Sequence, residues 1–140
     1  MRTADEIAKF RQGFAYAYNQ GNVQALPSYY DENASLLLAD QPMVQGKAAI
    51  AAQYSRLPER RSASIHLGSV DVVEEGSLIF DLACIFARSG DSSAANPPSA
   101  KYVVVLRRQL NGQLKMLVDA TNITPASAAS TDESVLRLGD

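Results

Sequence analysis

The hydrophobic pattern of this chain changes at Ser62, from mainly helical spacing to the alternation typical of strands. Helices that come first and strands that come afterwards bury their apolar surfaces together when the helices lie on one face of an antiparallel sheet. The change of period therefore predicts an α+β fold. We expect three N-terminal helices packed on a curved mixed or antiparallel β-sheet that encloses a pocket.

The first helix is the clearest element of the N-terminal part. Thr3 and Glu6 have capping-box spacing, and Gly21 supplies a stop. Between them an apolar stripe recurs at helical spacing: Ile7, Phe10, Phe14, Ala17 and Tyr18. The polar residues fall largely off that stripe: Lys9, Arg11, Gln12 and Asn19.

A short second helix is predicted to follow Asn22 and to end at the aromatic pair Tyr29-Tyr30. Pro27 lacks the N–H that a helix interior needs. The helix therefore either begins late, near Ala25, or has an irregular first turn.

The segment from Tyr29 to Leu57 is expected to place a pocket or core between helix and sheet. It is predicted to contain a turn, a short apolar strand, a brief second strand and a third helix: Asp31–Asn33, Ser35–Leu38, Met43-Val44 and residues 46–57. Ile50, Tyr54 and Leu57 share one face of that helix. A lone strand between helices must bury both of its sides, and this requirement predicts the pocket.

The C-terminal half is predicted to form long strands joined as a meander: Ser62–Val73, Leu78–Arg88, Lys101–Leu110 and Leu114–Thr124. Residues 74–77 form a turn cluster, Ser89–Ser99 is a small, polar loop, and Asn111-Gly112 is a tight-hairpin signal. We expect residues 1–124 to form a single domain and residues 125–140 to form a flexible tail.

Composition excludes several classes of function. The net charge of −2 gives no basic surplus for phosphates, so we expect no nucleic-acid partner. No apolar run approaches a membrane span, and the first residues lack the apolar core of a signal peptide, so we expect a cytoplasmic protein. One cysteine, Cys84, and one histidine make no ligand cluster, so neither a metal nor another cofactor is predicted.

The order of these elements resembles the NTF2-like superfamily. The segments that carry the resemblance are YYDENA, the helix start VQGKAAI and the closing strands, between Asp5 and about Thr124. The run KYVVVLRRQLNGQLKMLVDATN resembles the closing hairpin of the DUF4440 subgroup, which is related to the calmodulin-dependent kinase II association domain. The superfamily also includes ketosteroid isomerases, SnoaL-type cyclases and nuclear transport factor 2. The resemblance implies a cone-shaped fold with a small-molecule pocket, and a homodimer joined through the outer sheet face.

Ketosteroid isomerases need a carboxylate base and two acidic hydrogen-bond donors. A gap-free alignment places the tyrosine donor at Phe14 and the base at Leu38, and it places the acidic donor near Val104. None of these side chains can exchange a proton, so we reject steroid isomerisation. Tyr54 matches a tyrosine of the network that supports the isomerase site. It is predicted to line the pocket together with Phe14, Leu38 and Val104.

The same alignment directs Leu117, Asp119 and Thr121 toward the pocket. Asp119 is the candidate acid or base, because a carboxyl among apolar walls has a raised pKa. Alternatively, a tyrosine hydroxyl or a backbone amide binds Asp119, which then only organises the core. Tyr18 and Phe86 complete the predicted lining. Asp81, which lies in an otherwise apolar strand, is a second-choice candidate.

His66 is open to two interpretations. Strand alternation puts Ile65 and Leu67 on the apolar face and His66 on the other, which predicts an exposed imidazole. The alignment places it inward instead, where it would pair with Asp119 for proton transfer or hydration.

Three functions remain open. The first is binding of a small, largely apolar molecule without known chemistry. The second is a SnoaL-like cyclase, dehydratase or hydrolase that uses Asp119, with or without His66. The third is a protein-interaction module that uses the outer face of the sheet.

Overall fold

The computed structural model describes residues 2–56, 64–88 and 98–124. These residues form two α-helices and one 3-10 helix: α1 (Arg2–Asn19), α2 (Lys47–Tyr54) and Leu26–Tyr29. They also form six strands: β1 (Tyr30–Leu37), β2 (Val44–Gln45), β3 (Ser64–Glu75), β4 (Leu78–Arg88), β5 (Ala100–Arg108) and β6 (Leu114–Ile123). No described helix is long and apolar enough to cross a membrane.

The strands make one sheet in the order β2-β1-β6-β5-β4-β3. β1 runs parallel to β6, and the other neighbouring pairs are antiparallel. The helices lie against one face of this mixed sheet, so the predicted α+β class is confirmed. The sequence predicted β4 with its observed bounds, and β5 and β6 to within two residues.

The prediction of three α-helices was wrong for the second one. The segment from Leu26 to Tyr29 forms a single 3-10 turn, with Pro27 in its first positions, where the missing N–H costs least. Only a few residues separate this proline from β1, which leaves no room for a full α-helical turn. The third predicted helix ends at Tyr54, and its expected last residue, Leu57, lies outside the described residues.

The predicted turn at Asp31–Asn33 is part of strand β1. The pairing with β6 shifts between Tyr30, opposite Met116, and Ser35, opposite Val118, so the strand carries an irregularity in place of a turn. The Asp31 carboxylate accepts hydrogen bonds from the Asn33 N–H, the Gln109 amide and the Arg107 guanidinium. Burial would raise the pKa of Asp31, but these bonds outweigh it and lower that pKa below its ordinary value.

Two further irregularities lie in the long strands. In β3 the pairing with β4 shifts between Ser69 and Asp71. In β6, Val105 pairs with Val118 while Leu106 pairs with Met116, which leaves Leu117 as an extra residue. Such bulges bend a strand and strengthen its twist, so they contribute to the curvature of the sheet. The predicted loop, apart from its last residues, and the predicted tail at 125–140 lie outside the described residues.

Helix α1 is attached to the sheet at both ends. Near its start, the Glu6 carboxylate accepts two hydrogen bonds of 2.9 Å from the Arg108 guanidinium. At its end, the Asn19 amide donates to the Ile65 carbonyl at 2.9 Å and accepts from the Ile65 N–H at 2.7 Å. These contacts hold the helix across the concave face of the sheet. The fully buried side chains of the core come from the helices and from the sheet: Ile7, Leu26, Tyr30, Leu36, Ile50, Ile79 and Leu106.

Candidate functional site

A cavity of about 180 Å³ lies between α1, α2 and the concave face of the sheet. Its walls are mostly apolar and aromatic, with a few polar groups: Phe10, Arg11, Phe14, Tyr18, Leu38, Tyr54, Ile65, Leu67, Asp81, Ile85, Tyr102, Val104, Met116, Asp119 and Thr121. Seven residues that the sequence predicted for the pocket are in this lining: Phe14, Tyr18, Leu38, Tyr54, Val104, Asp119 and Thr121.

Phe86 does not line the cavity, contrary to the prediction. On β4 the buried side chains are those of Ile79, Asp81 and Ala83, so the alternate residues, Phe86 among them, lie on the outer face. Both faces of this strand are apolar in sequence, and the pattern alone could not show which one faces the helices.

His66 lies on the outer face as well, opposite Phe86 in the β3–β4 pairing. Its ring centroid is 6.0 Å from that of Phe86, and the side chain is exposed. The interpretation from strand alternation was therefore right, and the inward placement from the alignment was wrong. The expected pair of His66 with Asp119 does not form.

Leu117 was predicted to face the cavity, and Met116 takes that position instead. The cause is the extra residue in β6. Strict alternation counted back from Asp119 predicts that Leu117 faces the cavity, but the bulge moves the inward-facing position to Met116. Asp119 and Thr121 lie after the bulge in the chain, and strand alternation correctly predicts that both face the cavity.

The first polar cluster of the cavity is centred on the Asp119 carboxyl. The Tyr30 hydroxyl donates to Asp119 Oδ2 at 2.6 Å, and the hydroxyls of Tyr30 and Tyr54 lie 2.7 Å apart. Within the described part of the chain, Asp119 Oδ1 makes no hydrogen bond, and no buried side-chain oxygen or nitrogen there lacks a partner. Oδ1 is therefore accessible, and since Asp119 lines the cavity, this oxygen is open to a ligand.

Burial raises the pKa of the Asp119 carboxyl from its ordinary 3.8 to about 6, and the hydrogen bond from Tyr30 limits the rise. Burial also raises the pKa of Tyr30 and of Tyr54, and the nearby Asp119 charge adds to both shifts. Both tyrosines therefore stay protonated. The carboxyl is the group in this cluster that changes charge near neutral pH.

A second polar cluster contains Arg11, whose spacing in the sequence predicted a place on the polar side of α1. Arg11 donates to Asp81 through Nε at 3.0 Å and through Nη2 at 2.6 Å, and Tyr102 donates its hydroxyl to the same carboxylate at 3.3 Å. The side chains of Arg11 and Asp81 are only 11% and 3% exposed. This is a buried, bidentate ion pair in the cavity wall.

The signal for Arg11 was present in the sequence but ambiguous. It lies one helical turn after Ile7 and one turn before Phe14, so it borders the apolar stripe. Burial lowers the pKa of Arg11, but the hydrogen bonds and charge of Asp81 outweigh this effect, so the net pKa is raised. The guanidinium is therefore charged, and Asp81 neutralises it.

The two clusters are aligned across the cavity floor. Asp81 of β4 pairs with Val104 of β5, and Val104 pairs with Asp119 of β6. Adjacent strands lie about 4.8 Å apart, so the two carboxyl-bearing positions are separated by roughly 10 Å. Val104 forms an apolar floor between an ion pair on one side and a hydrogen-bonded carboxyl on the other.

Aromatic rings form the wall below α1. Phe14 makes edge-to-face contacts with Tyr29, Tyr30 and Tyr54, at centroid distances of 5.6, 6.3 and 6.4 Å. Such contacts fix ring orientation as well as burying area, so this side of the cavity is preformed. Among the described residues, no group of three or more His, Cys, Asp or Glu side chains is arranged to hold a metal ion.

Comparison with known proteins identifies the fold. No protein-family model and no curated protein sequence matches the chain. Solved structures do match it. One is a candidate calcium/calmodulin-dependent protein kinase type II association domain from Thiobacillus denitrificans, at 15% identity and a TM-score of 0.71, covering 83% of this chain and 93% of that one.

Two other matches have the same architecture. A ketosteroid isomerase-like protein from Erwinia carotovora atroseptica has 17% identity and a TM-score of 0.71, covering 85% of this chain and 95% of its own. An NTF2-like protein with a cystatin-like fold from Novosphingobium aromaticivorans has 18% identity and a TM-score of 0.67, covering 96% and 89%. The chain therefore has the NTF2-like fold, as the sequence predicted. At these identities the similarity extends to the fold alone, and function has to be argued from the site.

Proposed function

We propose that this protein binds a small, largely apolar molecule in the cavity between α1 and the sheet. The observation that carries the proposal is the lining, in which apolar and aromatic walls surround two separate polar clusters. Apolar cavities with a few converging polar groups are the usual form of small-molecule sites. The apolar walls supply affinity, and the polar clusters fix the orientation of the ligand.

A second candidate is an enzyme in which Asp119 acts as general acid or base. A buried carboxyl whose pKa is about 6, with one oxygen open to the cavity, has the properties that proton transfer near neutral pH requires. His66 is not part of this candidate, because it lies on the outer face. The residues at the isomerase positions, Phe14, Leu38 and Val104, are apolar walls of the cavity and supply no proton donor for steroid isomerisation.

The proposal is tested by filling the cavity. Val104→Phe adds a ring to the cavity floor, and we expect it to abolish binding of ethylbenzene, a small apolar probe, measured by ligand-observed NMR or calorimetry. Leu110→Phe is the matched control, because it adds a ring at a fully exposed position in the turn between β5 and β6, outside both the cavity and the outer face of the sheet. Equal binding by both variants would show that the probe binds elsewhere.

Mass spectrometry of the purified protein under native conditions addresses the physiological ligand. A small molecule that co-purifies with the wild type and with Leu110→Phe, but not with Val104→Phe, would be assigned to the cavity. Retention of the same molecule by Val104→Phe would contradict that assignment.

We also propose a homodimer joined through the outer face of the sheet. The side chains that support it are apolar and lie side by side on neighbouring strands. Leu82 pairs with Val103, Val103 pairs with Ala120, and Val105 pairs with Val118. Leu82 and Val103 are 37% and 42% exposed. A contiguous apolar patch on a sheet face is typical of an interface, so a second copy of this chain is the proposed partner.

A further inference from the structure

We propose that the ligand of this cavity is a neutral, single-ring molecule with a hydrogen-bond acceptor at one end and a hydroxyl donor at the other. This inference rests on the proposed binding function and specifies the class of molecule bound. Its basis is the different polarity of the two clusters, the distance between them, the volume of the cavity and its balance of charge.

The Asp119 end offers an acceptor. Its Oδ2 is already engaged by Tyr30, and its accessible Oδ1 carries only lone pairs when the carboxyl is ionised. A ligand group that meets Oδ1 must therefore donate a hydrogen bond, as a phenolic hydroxyl does.

The Arg11 end offers a donor. Arg11 uses Nε and Nη2 to bind Asp81 and also interacts with the Tyr102 hydroxyl, which together engage only part of its five N–H groups. Arg11 lines the cavity, so its remaining N–H groups are the donors available to a ligand at this end. A guanidinium donates and never accepts, so a ligand group that meets it is an acceptor such as a carbonyl oxygen.

The space between the clusters accommodates one ring. A dry cavity of about 150 Å³ is known to hold benzene, so about 180 Å³ holds a ring with one or two small substituents. Asp81 and Asp119 lie on opposite sides of Val104 in the sheet. A ring lying over Val104 with its substituents opposite each other directs one substituent toward each cluster.

The charge of the cavity favours a neutral ligand. Arg11 is already neutralised by Asp81, so a ligand carboxylate there finds no unpaired cation. It would also add a second negative charge to a cavity that contains Asp119. Burying an uncompensated charge is costly, so an aldehyde or ketone is the expected acceptor.

The test is a series of ring compounds bound to the full-length protein at pH 7, where Asp119 is mostly ionised and the phenol hydroxyls keep their protons. 4-Hydroxyacetophenone carries both groups, acetophenone lacks the donor, 4-ethylphenol lacks the acceptor, and ethylbenzene lacks both. A hydrogen bond to a charged group contributes about 1.5–3 kcal/mol, so each polar group is expected to tighten binding by about tenfold or more. 4-Hydroxybenzoate, the anionic analogue, is expected to bind at least tenfold more weakly than 4-hydroxyacetophenone.

Two variants assign the two ends through ratios measured within each protein. In Asp119→Asn the amide offers an N–H₂ group in place of the charged acceptor. The preference for 4-hydroxyacetophenone over acetophenone is therefore expected to fall to about threefold or less. In Arg11→Lys a cation remains for Asp81 but the remaining guanidinium donors are lost, so the preference for 4-hydroxyacetophenone over 4-ethylphenol is expected to fall similarly.

The outcomes separate this inference from the proposed function. If ethylbenzene binds and 4-hydroxyacetophenone binds no more tightly, the two-ended ligand is wrong and the apolar binding site stands. If no compound binds, ethylbenzene included, the proposed function fails with it. If Asp119→Asn and Arg11→Lys keep the wild-type ratios, the assignment of the two ends to these residues is overturned.

Discussion

The hydroxyl of Tyr30 lies 2.6 Å from Oδ2 of Asp119, in a region where the tyrosine is fully buried and the aspartate is 8% exposed. This one contact satisfies half of a carboxyl that has few other polar neighbours. It joins strand β1 to strand β6, which run parallel at this point. The contact therefore positions Asp119 and limits the rise in its pKa that burial causes.

Asp119 is expected to make the folded protein less stable as pH rises from about 4 to 6. Its folded-state pKa of about 6 exceeds the ordinary 3.8, so the folded state holds its proton more tightly than the unfolded state does across this window. The linked loss is about 3 kcal/mol and is complete above about pH 6. Asp119→Asn should remove it, so urea denaturation should show the variant gaining stability relative to the wild type by up to that amount. Parallel pH profiles for the two proteins would contradict the raised pKa.

Tyr30→Phe is expected to raise the pKa of Asp119 further, because the hydrogen bond that limits the rise is lost. Removing a partner from a buried polar group costs about 1–3 kcal/mol. Tyr54→Phe is the matched control, since it removes a hydroxyl that touches Tyr30 and not Asp119. Carbon-detected NMR titration of the Asp119 carboxyl gives its pKa in each variant, and urea denaturation gives the loss of stability. If the pKa of Asp119 were the same in Tyr30→Phe as in Tyr54→Phe, the Tyr30 hydroxyl would not be the group that limits the rise in that pKa.

Arg11→Met is expected to destabilise the protein by about 3–5 kcal/mol, because it leaves the Asp81 carboxylate buried without its cation. Replacing both partners, in Arg11→Met/Asp81→Leu, should recover most of that loss. Chemical denaturation of the wild type, both single variants and the double variant gives the coupling energy. Additive losses would show that the two side chains do not stabilise each other.

The homodimer is expected to dissociate when a charge is introduced at the centre of the outer sheet face. Val103→Asp should give a monomer by light scattering at micromolar concentration, whereas the wild type should give a dimer. Leu110→Asp introduces the same charge at a fully exposed position in the β5–β6 turn, and it should leave the dimer intact. A monomeric wild type would overturn the proposed interface.

Much of the fold follows from the sequence because it depends on local pattern. The bounds of β4 follow from a segment that is apolar apart from Asp81 and lies between two turn signals. The stripe on α1 and the tight turn at Asn111-Gly112, where Gly112 has a φ of 87°, are likewise local. The second helix was mispredicted because the strand that follows it begins at Tyr30, and that boundary depends on pairing with the distant Met116.

The candidate site was predicted in part for the same reason. Asp119 stood out as a carboxyl in an apolar strand, which is a local observation. Arg11 could not be assigned to the cavity, because its partner Asp81 lies 70 residues further along the chain. Phe86 was misplaced because both faces of β4 are apolar, and only the position of the helices decides which face is enclosed.

The extra residue Leu117 has a consequence for comparing this protein with others of its fold. In a relative whose last strand lacks a bulge, the residues that match Asp119 and Thr121 also face the cavity. Before Leu117, however, a gap-free alignment pairs each residue of this chain with a residue one position away from its structural counterpart. Met116 then aligns with an outward-facing residue and Leu117 with an inward-facing one. A functional residue should therefore be transferred between such proteins only within one half of β6, with a gap placed at Leu117 before the other half is aligned.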